Sequence, residues 1–307
     1  MDDEVEFQFP QIFRFYRSGR VERLAGTDRV PPSLDPVTGV NSKDVNIDPS
    51  NGVSARLYIP AEVGHGKKLP VLVYIHGGAF CVESAASPTY HRHLNDLASL
   101  TPLVGVSVEY RLAPEHRLPA AYDDAWTALR WVFTWADPWL AEHGDAGRVF
   151  LAGDSAGANI AHQIALRAAA EGLAIKGMTL IHPYFWGSVP IGTEITDPIH
   201  RGVHDRFWMF LYPESAGLDD PRRNPVAQGA PSLALLGCER VLVTVAEKDF
   251  LRERGKLYYE KLKESGWRGE AQLICTPAAD HVFHLVLPDS EQAKAMTKLL
   301  SLFFQKC

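Results

Sequence analysis

The residue best placed for chemistry is a serine between two glycines. Gly153, Ser155 and Gly157 form the pattern Gly-x-Ser-x-Gly, directly after the apolar run 149–152 and before a segment with helical spacing. A nucleophile elbow has this strand–turn–helix setting, in which small residues permit a strained turn that exposes the serine hydroxyl. The alternative is a glycine-bounded loop with a capping serine. We predict that Ser155 is a nucleophile.

A second motif could bind a developing negative oxygen. The run His76-Gly77-Gly78-Ala79-Phe80 follows the apolar run 71–75. Residues without side chains let backbone N–H groups approach an oxyanion closely. We expect the amides of Gly77 and Gly78, completed by that of Ala156, to form an oxyanion hole. Without the serine motif, the glycine pair would be interpreted as a tight turn.

Five motifs in this order resemble the plant carboxylesterase family, which belongs to the hormone-sensitive-lipase branch of the α/β hydrolases. They are HGGAF at 76–80, YRLAPEHRLPAAYDD at 110–124, GDSAG at 153–157, KDFL at 248–251 and DHVFH at 280–284. The similarity extends over nearly the whole chain. It implies an α/β-hydrolase fold and ester hydrolysis through an acyl-enzyme, with no cofactor and no metal. Relatives often have glycine where this chain has Ala79, so its methyl group bears on the size of the substrate.

The acid and the base should follow the serine in the order acid, then histidine, at the ends of later strands. Asp249 comes just after the apolar run 241–246 and matches the family's acid in position. Glu247, nearer the strand end, is the alternative acid. His281 follows the segment 272–275 and matches the family's base, with His284 as the alternative. We therefore predict a triad of Ser155, Asp249 and His281.

The elements that must position these residues can be predicted from hydrophobic patterns. Near-continuous apolar runs indicate strands covered on both faces, and segments with helical spacing lie between them. The runs are 71–75, 103–108, 149–152, 178–181 and 241–246, and the helical segments are 120–134 and 156–171. Alternation of strand and helix predicts an α/β fold with a doubly wound, mostly parallel sheet, in a single domain over residues 1–307. A hairpin is expected from residues 45–47 and 53–59.

One segment breaks this rhythm. Residues 187–231 contain several prolines and a group of aromatic residues but no strand-like run. A long irregular insertion in such a fold usually covers the site. We expect a helical cap from 187–231, completed by an N-terminal arm of about residues 1–40. We further expect Ala79, Phe80, Phe207 and Trp208 to line the substrate pocket.

Composition excludes several classes of protein. The chain has 307 residues, with 31 Lys+Arg against 37 Asp+Glu and a net charge of −6. Because its basic residues are scattered among at least as many acids, nucleic acid is not expected as a partner. The longest apolar runs have about six residues, far fewer than the roughly 18 of a membrane-spanning helix. The small-molecule ester is the expected partner, and the expected state is a monomer or weak homodimer.

The start of the chain and its cysteines indicate a compartment. Four acidic residues occur before any basic residue, and no apolar segment of a secretory signal follows. The four cysteines show no Cys-x-x-Cys or other ligand spacing, so disulfides and zinc are not expected. We predict a cytoplasmic protein with reduced thiols.

These expectations combine into a serine carboxylesterase acting on medium-sized apolar or aryl esters. The resemblance leaves two alternatives open. The first is a dehydratase (lyase) or internal acyl transferase of plant specialised metabolism, like 2-hydroxyisoflavanone dehydratase or the tuliposide-converting enzymes. The second is a non-catalytic protein resembling hormone receptors of this scaffold. Such receptors lack the triad histidine, so the presence of His281 argues for an enzyme.

Overall fold

Eight strands form the central sheet, in the order β11-β10-β9-β8-β6-β7-β5-β4. The computed structural model describes residues 4–64 and 66–306. The strands are β4 (Val40–Asp48), β5 (Val53–Pro60), β6 (Leu69–Ile75), β7 (Val104–Glu109), β8 (Gly144–Asp154), β9 (Ile175–Ile181), β10 (Cys238–Ala246) and β11 (Glu270–Thr276). The six from β11 to β7 run parallel, and β4 and β5 pair antiparallel at the other edge. The predicted mostly parallel α/β sheet and its hairpin are thus confirmed.

The parallel register brings the chemistry-bearing loops to one edge of the sheet. Ile75 at the end of β6 pairs with Gly153 in β8, and Asp154 pairs with Ile181 at the end of β9. Thr244 in β10 also pairs with Ile181. Because these strand ends are level, the segments that follow them emerge side by side.

Helices cover both faces of the sheet. They are α1 (Pro88–Leu100), α2 (Ala120–Val132), α3 (Pro138–His143), α4 (Ala156–Ala170), α5 (Pro198–Leu211), α6 (Arg252–Glu264), α7 (Phe283–Val286) and α8 (Glu291–Gln305). Helices α1, α7 and α8 share one buried apolar cluster with the sheet, and α2, α4, α5 and α6 share the other. Within residues 4–64 and 66–306, none of the helices has the length and apolar character needed to cross a membrane.

The N-terminal arm forms a second, three-stranded antiparallel sheet. It consists of β1 (Val5–Phe9), β2 (Phe13–Tyr16) and β3 (Val21–Arg23). Its phenyl rings pack on α5. Phe7 stacks on Phe210 with ring centroids 4.2 Å apart, and Phe9 stacks on Phe207 at 4.1 Å. The N-terminal arm and the insertion therefore pack against each other through aromatic rings.

A buried ion cluster fastens the insertion to α6. The fully buried carboxylate of Glu194 accepts a hydrogen bond from Arg254 Nε at 2.5 Å and from Arg201 Nη1 at 3.1 Å. Arg201 also donates to the carbonyl of Gly187, at the start of the insertion, at 2.6 Å. Removal of one member would leave uncompensated charge in a buried site, which is strongly unfavourable.

We expect Glu194→Gln to lower the free energy of unfolding by about 3–5 kcal/mol, because both arginines lose their counter-charge. Chemical denaturation followed by circular dichroism measures the change. Glu264→Gln is the matched control: Glu264 pairs with Lys261 on the surface, so its loss should be within about 0.5 kcal/mol. Similar losses in the two variants would show that the buried cluster does not hold the insertion in place.

Candidate active site

Three side chains meet at the carboxyl edge of the sheet in a hydrogen-bonded row. His281 Nε2 lies 2.9 Å from Ser155 Oγ, and His281 Nδ1 lies 2.7 Å from Asp249 Oδ2. The Asp249 side chain is fully buried, whereas 26% of the His281 side chain is exposed. A hydroxyl, an imidazole and a buried carboxylate in this order are the arrangement that activates a serine nucleophile.

The turn that carries Ser155 depends on two glycines. Ser155 has φ 52° and ψ −117°, a strained conformation between β8 and α4. A Cβ atom at Gly157 would lie 2.0 Å from the carbonyl oxygen of Ile75, and one at Gly153 would lie 2.5 Å from the carbonyl carbon of Gly157. The N–H of Ser155 donates to the carbonyl of Ile181 at 2.9 Å. The turn is therefore in close contact with the ends of β6 and β9.

Asp249, not Glu247, contacts the imidazole. Burial raises the pKa of Asp249, but the His281 charge, the His281 hydrogen bond and the N–H of Leu251 together bring that pKa below its ordinary value. The carboxylate therefore stays ionised. Glu247 is exposed and accepts a hydrogen bond from the N–H of Ala278 at 2.6 Å, so it shapes the turn that leads to His281.

A second histidine, His182, fixes the loop after His281. Its Nδ1 accepts a hydrogen bond from the N–H of Val282 at 2.8 Å, and Val282 has a φ of 46°. Burial, together with the nearby charge of His281, lowers the pKa of His182 to about 3, so the ring is neutral and able to accept. His182 was missed in the sequence, although its place directly after the apolar run 178–181 is a strand end at the same edge.

His284, the alternative base, lies behind the site. Its ring is buried and packs edge-on against His182 at 5.9 Å. Burial holds its pKa well below the ordinary value, and neither ring nitrogen has a partner among the described residues. Ser155 is hydrogen-bonded to His281 instead.

The structure contradicts the prediction for Gly77. Its amide donates to the hydroxyl of Tyr90 at 2.8 Å, so this N–H is not available to an oxyanion. The next two residues have positive φ, 91° at Gly78 and 54° at Ala79, and within the described part of the chain their amides meet no protein acceptor. Ala156 is the first residue of α4, where helix N–H groups lack internal partners. The candidate donors are therefore Gly78, Ala79 and Ala156.

The carboxyl group before the nucleophile is buried without a cationic partner. Asp154 accepts hydrogen bonds from the hydroxyls of Tyr74 and Tyr90, each at 2.9 Å. Burial raises the pKa of Asp154 to about 6, although both hydroxyls act to lower it. Asp154 thus acts in the packing behind the serine and does not face the reacting groups.

Most of the predictions for the substrate pocket are wrong. The side chains of Phe80, Phe207 and Trp208 have no exposed area, so they present no surface to a substrate. Phe207 is covered by the rings of the N-terminal arm, and Phe80 packs edge-on against Tyr184 at 5.9 Å. Of the four predicted residues, Ala79 alone is partly exposed.

Two half-buried rings near His281 were missed. The ring centroid of Phe250 lies 6.0 Å from that of His281. His204 of α5 stacks on Phe250 with ring centroids 4.9 Å apart. Phe250, directly after Asp249, was visible in the sequence. The approach of α5 to it was not, because the two are far apart in the chain.

One group of possible metal ligands overlaps this site. The ligand atoms of His182, Asp249 and His281 lie within 4.8 Å of one another, and no other such group is found among residues 4–64 and 66–306. Asp249 and His281 are hydrogen bonded to each other, and His182 Nδ1 accepts from the Val282 amide. Because Asp249 and His281 already bind each other, we assign no metal here.

Fold and site together define an α/β protein with a serine at a nucleophile-elbow turn. A family model described as the alpha/beta hydrolase fold matches residues 72–285. The chain belongs to the α/β-hydrolase fold family.

Plant relatives cover almost the entire chain. A probable carboxylesterase 2 from Arabidopsis thaliana is 50% identical over 293 residues, which is 95% of this chain and 93% of that protein. Tuliposide A-converting enzyme 1 from Tulipa gesneriana is 48% identical, covering 98% and 78%. The 2-hydroxyisoflavanone dehydratase of Glycyrrhiza echinata is 46% identical, covering 98% and 96%.

Solved structures give the same fold. A hyperthermophilic esterase from the archaeon Pyrobaculum calidifontis superposes with a TM-score of 0.69 at 30% identity, covering 86% of this chain and 85% of that one. A thermostable carboxylesterase cloned from a metagenomic library gives a TM-score of 0.71 at 29% identity, covering 90% of each.

The contacts of the two acids predict different effects on catalysis. We expect Asp249→Asn to lower kcat by about 10⁴-fold, because the amide no longer holds the imidazole in the reactive tautomer. Glu247→Gln, the matched control, should cost less than about tenfold, since it changes only a turn contact. Steady-state hydrolysis of p-nitrophenyl acetate measures both. The reverse ranking would assign the acid role to Glu247.

Proposed function

We propose that the protein is a serine carboxylesterase that hydrolyses medium-sized apolar or aryl carboxylic esters through an acyl-enzyme. The observation that carries the proposal is the hydrogen-bonded row from Ser155 through His281 to Asp249, next to unpaired backbone amides. Carboxylesterase and esterase relatives at 50% and 30% identity support the same chemistry.

Acylation begins with a proton transfer. Asp249 accepts the Nδ1–H of His281, which leaves Nε2 free to take the proton of the Ser155 hydroxyl. Oγ bonds to the ester carbonyl carbon, and the negative carbonyl oxygen accepts hydrogen bonds from the backbone amides. The imidazolium then gives its proton to the leaving alcohol as the carbon–oxygen bond breaks.

Water completes the cycle. A water molecule transfers a proton to Nε2 and attacks the acyl carbon, and the Ser155–acyl bond breaks as the proton returns to Oγ. The carboxylic acid is released and the enzyme is restored. Every proton and electron pair is carried by the three side chains, the ester and water, so the proposal includes no cofactor.

The N-terminal arm and the insertion 187–231 form the proposed cap, with residues 1–3 outside the described residues. His204 of α5 reaches the ring of Phe250, which in turn contacts His281. On the other side of the serine, Ala79 adds a methyl group beside the candidate oxyanion amides. Apolar and aromatic walls of this kind favour apolar acyl or aryl groups.

Elimination or internal acyl transfer is the second candidate function. It is favoured by the near-equal identity to relatives named for different reactions, 46% to a 2-hydroxyisoflavanone dehydratase and 48% to a tuliposide A-converting enzyme. A carbonyl in the same hole beside the same base would serve these reactions too. A receptor-like function without catalysis is less well supported, because His281 is present and bonded to Ser155.

Residence in the cytoplasm and a monomeric or weakly dimeric state are also part of the proposal. Cys81 and Cys238 are buried free thiols, which suits a reducing compartment. Imaging of a fluorescent fusion and light scattering of the purified chain test the two statements.

The deciding experiment compares turnover of p-nitrophenyl esters of graded acyl length with turnover of a 2-hydroxyisoflavanone. Hydrolysis of the esters without loss of water from the isoflavanone supports the esterase. Efficient dehydration with poor ester turnover would replace the proposal by the second candidate.

Ser155→Ala should abolish ester hydrolysis without unfolding the protein, because the hydroxyl contributes little packing. Loss of such a nucleophile lowers kcat by about a million-fold. A fluorophosphonate should label the wild type at Ser155 and leave the variant unlabelled, as read by peptide mass spectrometry. Retention of more than about a tenth of wild-type kcat would contradict the assignment.

Ala79→Gly should improve kcat/KM for long or branched acyl groups and leave acetyl esters nearly unchanged. Glycine adopts the φ of 54° readily, so the amide stays in place while the methyl group disappears. A methyl-sized change in a pocket is worth about 1–3 kcal/mol, or at least tenfold in selectivity. The graded ester series measures it. Parallel changes for short and long esters would show that residue 79 acts on loop conformation.

A further inference from the structure

A buried tyrosine hydroxyl joins the two segments that carry the proposed nucleophile and the proposed oxyanion amides. Tyr90 of α1 is 3% exposed. Its hydroxyl accepts the N–H of Gly77 at 2.8 Å and donates to Asp154 Oδ2 at 2.9 Å. The other carboxyl oxygen of Asp154 accepts from Tyr74 at 2.9 Å.

The ends of this bridge are each one residue from the chemistry. Gly77 precedes Gly78, a candidate oxyanion donor, and Asp154 precedes Ser155. The two segments are also in direct contact, since a Cβ atom at Gly77 would lie 2.4 Å from Asp154 Oδ2. Oxyanion donors act only when they lie about 2.7–3.1 Å from the developing charge, so the spacing of these segments affects catalysis.

The direction of the hydrogen bonds determines which amides remain free. An ionised carboxylate can only accept, so the Tyr90 proton is directed at Asp154 and a lone pair of the oxygen takes the Gly77 N–H. Tyr110 holds the other side of the same loop, because its hydroxyl donates to the carbonyls of His76 and Gly77 at 2.9 and 3.0 Å. The peptide at Gly77 is thus held in one orientation, and the amides of the next two residues are left for a ligand.

We infer that Tyr90 is a positioning residue of the oxyanion hole. Because its hydroxyl binds both Asp154 and Gly77, it sets the distance between the Ser155 hydroxyl and the amides of Gly78 and Ala79. The inference deepens the proposed esterase function and rests on it.

Tyr90→Phe is the direct test, because it removes the hydroxyl and keeps the ring. We expect kcat to fall by about 10- to 100-fold, somewhat less than the loss of a whole donor, with KM within about threefold. The second readout is the affinity of phenylboronic acid, which bonds to the serine and places an oxygen in the hole. Its inhibition constant should rise by the same factor by which kcat/KM falls, since both need the hole.

Two matched variants separate positioning from simple loss of a buried hydrogen bond. Tyr74→Phe removes the other donor to Asp154 but does not touch Gly77. Tyr258→Phe, on α6, removes a buried hydroxyl that lies 3.1 Å from Nδ1 of His162. Thermal unfolding should show stability losses of similar size in all three variants. Boronate affinity should fall markedly only in Tyr90→Phe.

The inference is overturned if Tyr90→Phe keeps kcat/KM and boronate affinity within about twofold of the wild type, or if Tyr74→Phe loses as much of both. If Tyr90→Phe does not fold, p-aminophenylalanine at position 90 replaces it, because its amino group still donates to Asp154 but is a weak acceptor for the Gly77 N–H. A boronate affinity between those of the wild type and Ser155→Ala is then expected, and an unchanged affinity contradicts the inference. Failure of the proposed function is distinct, since the wild type itself would then neither hydrolyse esters nor bind the boronate.

Discussion

The structure depends on one close backbone contact, between the serine turn and the end of β6. A Cβ atom at Gly157 would lie 2.0 Å from the Ile75 carbonyl oxygen, so only glycine allows the turn to approach the strand this closely. That approach determines what lies on both sides of the turn. The loop with the candidate oxyanion amides begins directly after β6, and the Ser155 N–H donates to the carbonyl of Ile181 at the end of β9. The strained conformation of Ser155 is tolerated because packing on both sides holds it.

Two buried carboxyl groups next to this contact differ in pKa for a clear physical reason. Asp249 faces an imidazole that becomes positive during the reaction, and its pKa lies below the ordinary value despite burial. Asp154 is hydrogen-bonded to the neutral hydroxyls of Tyr74 and Tyr90, and burial raises its pKa to about 6 although these hydroxyls, the His281 charge and the Gly77 N–H all act to lower it. A carboxylate hydrogen-bonded to an imidazole suits electrostatic support of a base, whereas one hydrogen-bonded to neutral hydroxyls suits structural bridging. Two aspartates at the ends of β8 and β10, with β9 between these strands, thus have different surroundings.

Sequence reasoning succeeded where the determining forces are local along the chain. Apolar runs located β6 to β10, because strands buried on both faces need apolar residues at every position. Helix α6 was not predicted, since beyond Arg254 and Gly255 it buries only Tyr258 and Leu262, and its charged surface hides that pattern. The occupied amide of Gly77 depends on Tyr90, 13 residues away on another element, and no spacing rule describes such a contact. The same limit explains His182 and His204, which reach the site only through tertiary packing.

The aromatic residues of the insertion illustrate how composition can mislead about a pocket. Phe207 and Trp208 were expected to meet substrate, yet their full area is used in packing within the cap, against the arm and Arg223. In the proposed cap these side chains are used in packing, which would leave to a substrate partly exposed positions such as Ala79, Phe250 and His204. The few exposed residues around the serine, histidine and aspartate can differ between relatives without disturbing the fold. Relatives at 46–50% identity with names for different reactions are a natural consequence of that separation between scaffold and exposed wall.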